Sequence, residues 1–187
     1  MHRRPLLDLL DRYQRRRPEA AAAASRIREL VRAHLGCLER SCLPGHLTAS
    51  AWIVSHDHRY FLLTHHRELG CWLQLGGHAD GDPDLSRVAL REAQEESGLL
   101  EFEFFLTDGD LLPIDLDIHR IPAFQGMPEH QHHDIRFLLT AKPGQELRIS
   151  DESLALRWFE RERLAEVPGG ESLQRLGRVA AALLEFA

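Results

Sequence analysis

Read as a pattern of apolar and polar positions, the chain divides near residue 44. Before that point, Leu6, Leu7, Leu9, Leu10 and Tyr13 predict one short amphipathic helix. A second starts at Pro18, where Ala21 to Ala24, Ile27, Leu30, Val31 and Leu35 recur at helix spacing, and Gly36 is a suitable stop. Pro44-Gly45 marks a turn, and beyond it the period shortens. Thr48 to Ser55 and Tyr60 to Thr64 predict two strands joined by a hairpin turn at Asp57-His58. Trp72 to Leu75 is short and apolar, and Gly76-Gly77 ends it. A helix is predicted from Pro83 to Ser97, with Asp82 as N-cap and Gly98 as the glycine that ends it. Glu101 to Thr107 alternates like a half-buried strand. Leu111 to Pro122, Asp134 to Thr140 and Leu156 to Phe159 predict further strands, with a loop at Gln125 to Glu129. Glu171 to Phe186 predicts a C-terminal amphipathic helix. The sum is an α/β fold, a mixed sheet with helices on both sides. Residues 1–43 form an N-terminal helical extension to a domain over 44–187.

Composition narrows the function. At 187 residues and 43% hydrophobic, the chain can bury one sizeable core. Its net charge of −6 argues against a general nucleic-acid binder, but leaves a small phosphorylated substrate open. Cys37, Cys42 and Cys71 are odd in number and form no CxxC unit, so neither a disulfide framework nor a thiolate zinc site is indicated. Free thiols suit a reducing compartment. No run approaches the roughly 18 apolar residues of a membrane span. Asp8 and Asp11 interrupt the basic start, which therefore does not read as a secretory signal. A cytoplasmic protein with no membrane partner is expected.

The chemistry concentrates between Gly76 and Leu99, in GGHADGDPDLSRVALREAQEESGL. A residue advances about 100° around an α-helix. Counted from Leu85, one stripe carries Val88 and Ala89, then Glu92, then Glu95 and Glu96, then Leu99. An apolar face thus becomes a carboxylate face without changing direction, and a helix packed on it aims three glutamates into protein or a cleft. Glu92 and Glu96 stand one turn apart and repel each other, and burying unpaired carboxylates is costly. A hard divalent cation resolves the conflict, because it takes carboxylate oxygens and keeps water and substrate phosphates as its other ligands. A solvated acidic face is the ordinary alternative, but it does not explain why these glutamates continue the apolar stripe. Gly76, Gly77 and Gly81 allow a tight loop that brings backbone groups close to a metal or phosphate.

This segment resembles the Nudix box, Gly-x5-Glu-x7-Arg-Glu-U-x-Glu-Glu-x-Gly-U, with U a bulky aliphatic residue. Gly77 stands at the first Gly, Arg91-Glu92 at Arg-Glu, Glu95-Glu96 at Glu-Glu and Gly98-Leu99 at Gly-U. Ala93 takes the first U position, and Pro83 stands in place of the first Glu. In the family that Glu holds the box arginine, so Asp80, Asp82 or Asp84 is expected to pair with Arg91 instead. The resemblance implies a Nudix-type α/β/α sandwich. It also implies a hydrolase that cuts the phosphoanhydride bond of a nucleoside diphosphate linked to a moiety X, such as ADP-ribose or a nucleotide sugar. Mg²⁺ or Mn²⁺ would be held by Glu92, Glu95 and Glu96 with the carbonyl of Gly76 or Gly77. Glu92, Glu95 or Glu152 would accept the proton, and Arg91 and Gly98 would have structural roles. Glu152 stands where some Nudix enzymes place a further metal-binding or base glutamate, a surface position being the alternative.

Twelve histidines are unusual for this length. His130, His132 and Asp134 alternate and share one face if extended, with His119 on a preceding segment able to pair beside them. Substrate contact, a Zn²⁺, Mn²⁺ or Fe²⁺ site, and an ordinary polar strand are the open readings. Arg67 and Arg136 are candidate cations for phosphate. The N-terminal helices are expected to pack on the core or form a homodimer interface. Two other functions stay open: a non-catalytic nucleotide sensor, and an isoprenoid-diphosphate isomerase using Cys71 and a glutamate.

Overall fold

The computed structural model describes residues 3–123 and 126–185. The expected end of the last helix at Phe186 and the first residue of the Gln125 loop lie outside them. Two helices open the chain, α1 (Arg4–Arg16) and α2 (Ala21–Ala33), with a 3₁₀ turn at Pro18–Ala20 between them. Strands β1 (Gly45–Val54), β2 (Tyr60–His66), β3 (Trp72–Leu73) and β4 (Leu75–His78) lead to α3 (Leu85–Ser97). Then come β5 (Phe102–Phe104), β6 (Asp115–Ile121), β7 (His130–Ala141) and β8 (Ser153–Glu160). A 3₁₀ segment (Arg161–Glu166) and α4 (Glu171–Leu184) close the fold. No helix among the described residues is long and apolar enough to cross a membrane.

The sheet is mixed, as expected. β1 and β7 pair in parallel from Gly45–Gln131 to Val54–Thr140, and every other ladder is antiparallel. β2 and β4 both pair with β1, while β5 and β6 both pair with β7. Side chains alternate across a strand, so the central pair has two different faces. Leu47, Ala49, Ala51 and Ile53 point with Ile135, Phe137 and Leu139 into the larger core, under α3, α1 and α2. Trp52, Val54 and Leu138 point the other way into a smaller core closed by Leu173, Leu176 and Ala180 of α4. The remaining even-numbered positions of β1 and β7 are polar.

The two opening helices belong to the larger core. Leu6, Leu10, Tyr13, Ala24, Ile27, Leu30 and Val31 are all buried in one cluster with the sheet residues. No dimer is needed to cover these faces. Leu35 lies past the end of α2 and is 76% exposed, so the amphipathic stripe is shorter than its spacing predicts. The strand expected over 101–107 pairs only at Phe102–Phe104, because the chain turns back at Asp108-Gly109, both with positive φ. α3 starts two residues later than expected. Asp84, not Asp82, is its N-cap and accepts from the Arg87 amide at 3.1 Å. Asp82 instead takes the Arg87 guanidinium at 2.7 Å. Gly98 ends the helix with φ 72, as its position predicts, and a Cβ there would meet Arg148 Cβ at 2.6 Å.

Ile27→Ala is expected to destabilise the whole fold by about 2–5 kcal/mol, the usual cost of truncating a fully buried aliphatic side chain. The shift in the urea midpoint measures it. A midpoint within error of the parent would mean that α2 is an independent appendage.

Candidate active site

Two glycines let a helix place its carboxylates against a strand. β4 runs antiparallel to β1, with Gly76 opposite Ser50 and Gly77 opposite Ala49. α3 packs over this ladder through Leu85, Val88, Ala89 and Ala93, and the same stripe continues to Glu92 and Glu96. A Cβ on Gly77 would sit 2.5 Å from Glu92 Oε2, and one on Gly76 would sit 2.6 Å from Ser50 Cα. At Gly76 the clash is with backbone and excludes any side chain, whereas at Gly77 a side chain would displace the Glu92 carboxylate. Gly76 donates its amide to Glu96 Oε1 at 3.0 Å. Glu96 is 6% exposed. Arg91 donates to Glu92 Oε1 at 2.6 Å and to the His78 carbonyl at 2.9 Å.

Two expectations need correction here. Arg91 pairs with none of the three aspartates proposed for it: Asp80 takes Arg40 at 2.7 and 2.8 Å, Asp82 takes Arg87, and Asp84 caps α3. The neighbouring Glu92 serves Arg91 instead. Glu95 is also not inward. Its side chain is 64% exposed, with Arg91 Nε at 3.9 Å. The buried stripe runs through Ala89, Ala93 and Glu96, and Glu95 sits about 100° round from Glu96, at its edge.

Glu92 and Glu96 border a cleft of about 550 Å³ on the polar face of the sheet. Glu152, in the turn before β8, lines the same cleft. Arg67 holds that turn in place. Its amide donates to the Glu152 carbonyl at 2.9 Å, and its guanidinium donates to the Asp151 and Ser153 carbonyls at 2.8 and 3.1 Å. Burial pushes the Glu96 carboxyl up to about 8, and the nearby Glu92, Glu152 and Glu95 add to the shift against the Gly76 amide. Burial raises Glu92 too, despite Arg91.

Beneath the cleft lies a buried ionic network. Asp134 is 2% exposed and accepts from Thr48 Oγ1 at 3.0 Å, from Ser50 Oγ at 2.8 and 2.9 Å, and from Arg136 Nε at 2.8 Å. Arg136 also reaches Asp115 at 3.1 Å and Asp117 at 3.0 Å, and Arg175 of α4 pairs with the same two aspartates. Burial alone would raise the Asp117 carboxyl, but His119, Arg136 and Arg175 hold it far below the usual range. Arg136, expected to face phosphate, is 2% exposed with all three guanidinium nitrogens engaged. It braces the sheet under the cleft.

The histidines gather at one end. Register sets His46 of β1 and His119 of β6 on either side of His132. His78 and His130 complete a cluster of five rings. His78, His119 and His132 line the cleft, with His46 and His130 buried behind. Cys71 is not among the cleft-lining residues.

The NUDIX domain model matches residues 44–176. The chain belongs to the Nudix hydrolase family. A Nudix-family hydrolase from Clostridium perfringens is similar in structure, at 25% identity over 74% of this chain and 97% of that one, with a TM-score of 0.60. An Ap4A hydrolase from C. elegans shares the fold at 18% identity over 75% and 98% of the two chains, with a TM-score of 0.60. A Nudix hydrolase from M. smegmatis does so at 21% over 73% and 86%, with a TM-score of 0.53. No curated protein matches the sequence.

Within this Nudix hydrolase, sequence reasoning missed Arg40 and His46. Arg40 lines the cleft from the irregular segment between α2 and β1, where no periodicity marks it. His46 carried one available signal, since it alternates with Thr48 and Ser50 along β1. Buried Glu96 and half-buried Glu92 fit a hard divalent cation, because Glu96 has the Gly76 amide as its one partner among the described residues.

Two outcomes follow. Arg136→Gln should cost about 3–5 kcal/mol, because it strips a buried cation from three carboxylates. A stable variant with a raised KM would instead make Arg136 a phosphate contact. In metal-free protein, folding holds Glu96 protonated from its ordinary 4.5 to about 8. The folded state then binds more protons than the unfolded one, so this group makes stability fall as pH rises through that window. Glu96→Gln should remove that component and, in chelator, unfold at higher urea than the parent at pH 8. Identical pH dependence in both proteins would refute it.

Proposed function

We propose that this Nudix hydrolase cuts a phosphoanhydride bond in a nucleoside diphosphate joined to a moiety X, an ADP-ribose-like or nucleotide-sugar-like substrate, with Mg²⁺ or Mn²⁺. The observation that carries this reading is the carboxylate pair of buried Glu96 and half-buried Glu92, pressed against side-chain-free backbone at the cleft. Ionised there without a cation, they are costly. Glu92, Glu96 and the Gly76 or Gly77 carbonyl would hold the cation, and Glu95, exposed beside Arg91, would complete the carboxylate set. A cation held there would neutralise phosphate charge and lower the pKa of a bound water.

The chain's own groups supply the rest. Glu152 lines the cleft, and its carboxylate accepts no hydrogen bond among the described residues. It takes the proton from the attacking water, while Arg67 fixes its turn. Arg91 orients Glu92 and opposes the burial that raises its carboxyl. Arg40, shared with Asp80, offers a cation to phosphate at the cleft edge. His119 faces the X moiety, and Asp134 braces the cleft floor beneath it through Thr48, Ser50 and Arg136. Three free cysteines are consistent with a cytoplasmic enzyme.

Phosphate release with Mg²⁺ or Mn²⁺ across ADP-ribose, nucleoside-diphosphate sugars, dinucleoside polyphosphates, coenzyme A and nucleoside triphosphates tests the reading. One diphosphate class should turn over, and Glu152→Gln should lower kcat by about 10²–10⁴ with little change in KM. Tight metal binding without turnover of any member would favour a sensor.

A further inference from the structure

The five-histidine cluster is an odd way to build a cleft wall. Ring centroids of His46, His130 and His132 lie 4.8, 4.9 and 5.2 Å apart, with His78 4.9 Å and His119 5.4 Å from His132. No hydrogen bond joins one of these rings to another among the described residues. His46 is 1% exposed, and its Nε2 is buried without a partner. Leaving such a group unsatisfied costs about 1–3 kcal/mol.

The partners of the other nitrogens fix the tautomers. His46 Nδ1 faces the Cys42 carbonyl at 3.4 Å, and His130 Nδ1 faces the Pro128 carbonyl at 2.9 Å. A carbonyl only accepts, so both Nδ1 atoms carry the proton and both Nε2 atoms present lone pairs. This is the arrangement in which a metal-bound histidine donates its far N–H to backbone. One donor nitrogen from each of His46, His130 and His132 lies within 4.8 Å of the others.

Lone pairs that converge repel unless a proton or a metal ion sits between them. No hydrogen bond bridges these rings and His46 Nε2 is buried without a partner, so a metal ion is the occupant that answers all three nitrogens.

We propose that His46, His130 and His132 form a second metal site, separate from the carboxylate site, for a nitrogen-preferring divalent transition ion of the Zn²⁺ or Co²⁺ class. A tetrahedral ion with bonds of about 2.0–2.1 Å needs nitrogens about 3.3 Å apart, so modest side-chain rotation closes the set. Mg²⁺, which demands oxygen ligands, does not suit it. His132 lines the cleft, with the His78 and His119 rings packed against it. Two ligands come from β7 and one from its parallel neighbour, so the site exists only in the folded sheet.

The test uses the full chain carrying Glu92→Gln and Glu96→Gln, which disables the carboxylate site, stripped with chelator and titrated with Co²⁺. One equivalent should bind with visible d–d absorption that excess Mg²⁺ leaves unchanged. His132→Ala or His130→Gln in that background should weaken binding by at least about 10-fold. X-ray absorption of the Co²⁺ form, with every histidine intact, should show imidazole scattering. It decides the matter even if a histidine variant fails to fold. No Co²⁺ uptake, equal affinity in folded histidine variants, or an oxygen-only shell would overturn the proposal. None of these readouts depends on which substrate is hydrolysed.

Discussion

The parallel pairing of β1 with β7 is the constraint on which the molecule turns. Both strands are hydrogen-bonded on both sides and covered on both faces, so each side chain's direction is fixed by parity. Odd positions supply the larger core. Even positions run from histidines through Thr48, Ser50, Asp134 and Arg136 to Trp52, Val54 and Leu138. One ladder therefore carries a candidate metal cradle, an ionic brace and an apolar anchor in succession. A slip of a single residue would invert all three.

Because the even face is buried, its polar groups must satisfy one another. Asp134 gathers two hydroxyls and a guanidinium, and Arg136 and Arg175 between them serve Asp115 and Asp117. Such a network adds little net stability over apolar packing, yet each member depends on the rest. On that face His46 Nε2 is the buried side-chain atom left without a partner among the described residues, and it lies just behind the cleft wall. The apolar cores above and below the sheet offset that local cost.

Much of this was legible along the chain, and the pattern of success is physical. α3 and its carboxylates were readable because a helix writes its contacts within a few residues: Leu85 predicts the direction of Glu92 and Glu96 without knowledge of the rest. The limits of that rule appeared at Glu95, which falls off the edge of the stripe, and at Arg91, whose partner is its own neighbour. Helix caps were readable to within two residues. The histidine cluster was only half visible. The alternation of His130, His132 and Asp134 showed a shared face, but the arrival of His46 and His78 depends on strand register between segments far apart in sequence. Arg136 was misread for the same reason, since nothing local reveals that Asp115 and Asp117 lie beside it.

The helices α1 and α2 precede the stretch that matches the family, which begins at residue 44, yet their apolar faces are part of the core under the sheet. The stretch that matches the family and the stretch that packs around one core therefore differ in length. An expression boundary chosen by family likeness would cut through packed side chains, not through a linker. Comparison among relatives that lack such helices has to ask what fills the corresponding floor in each.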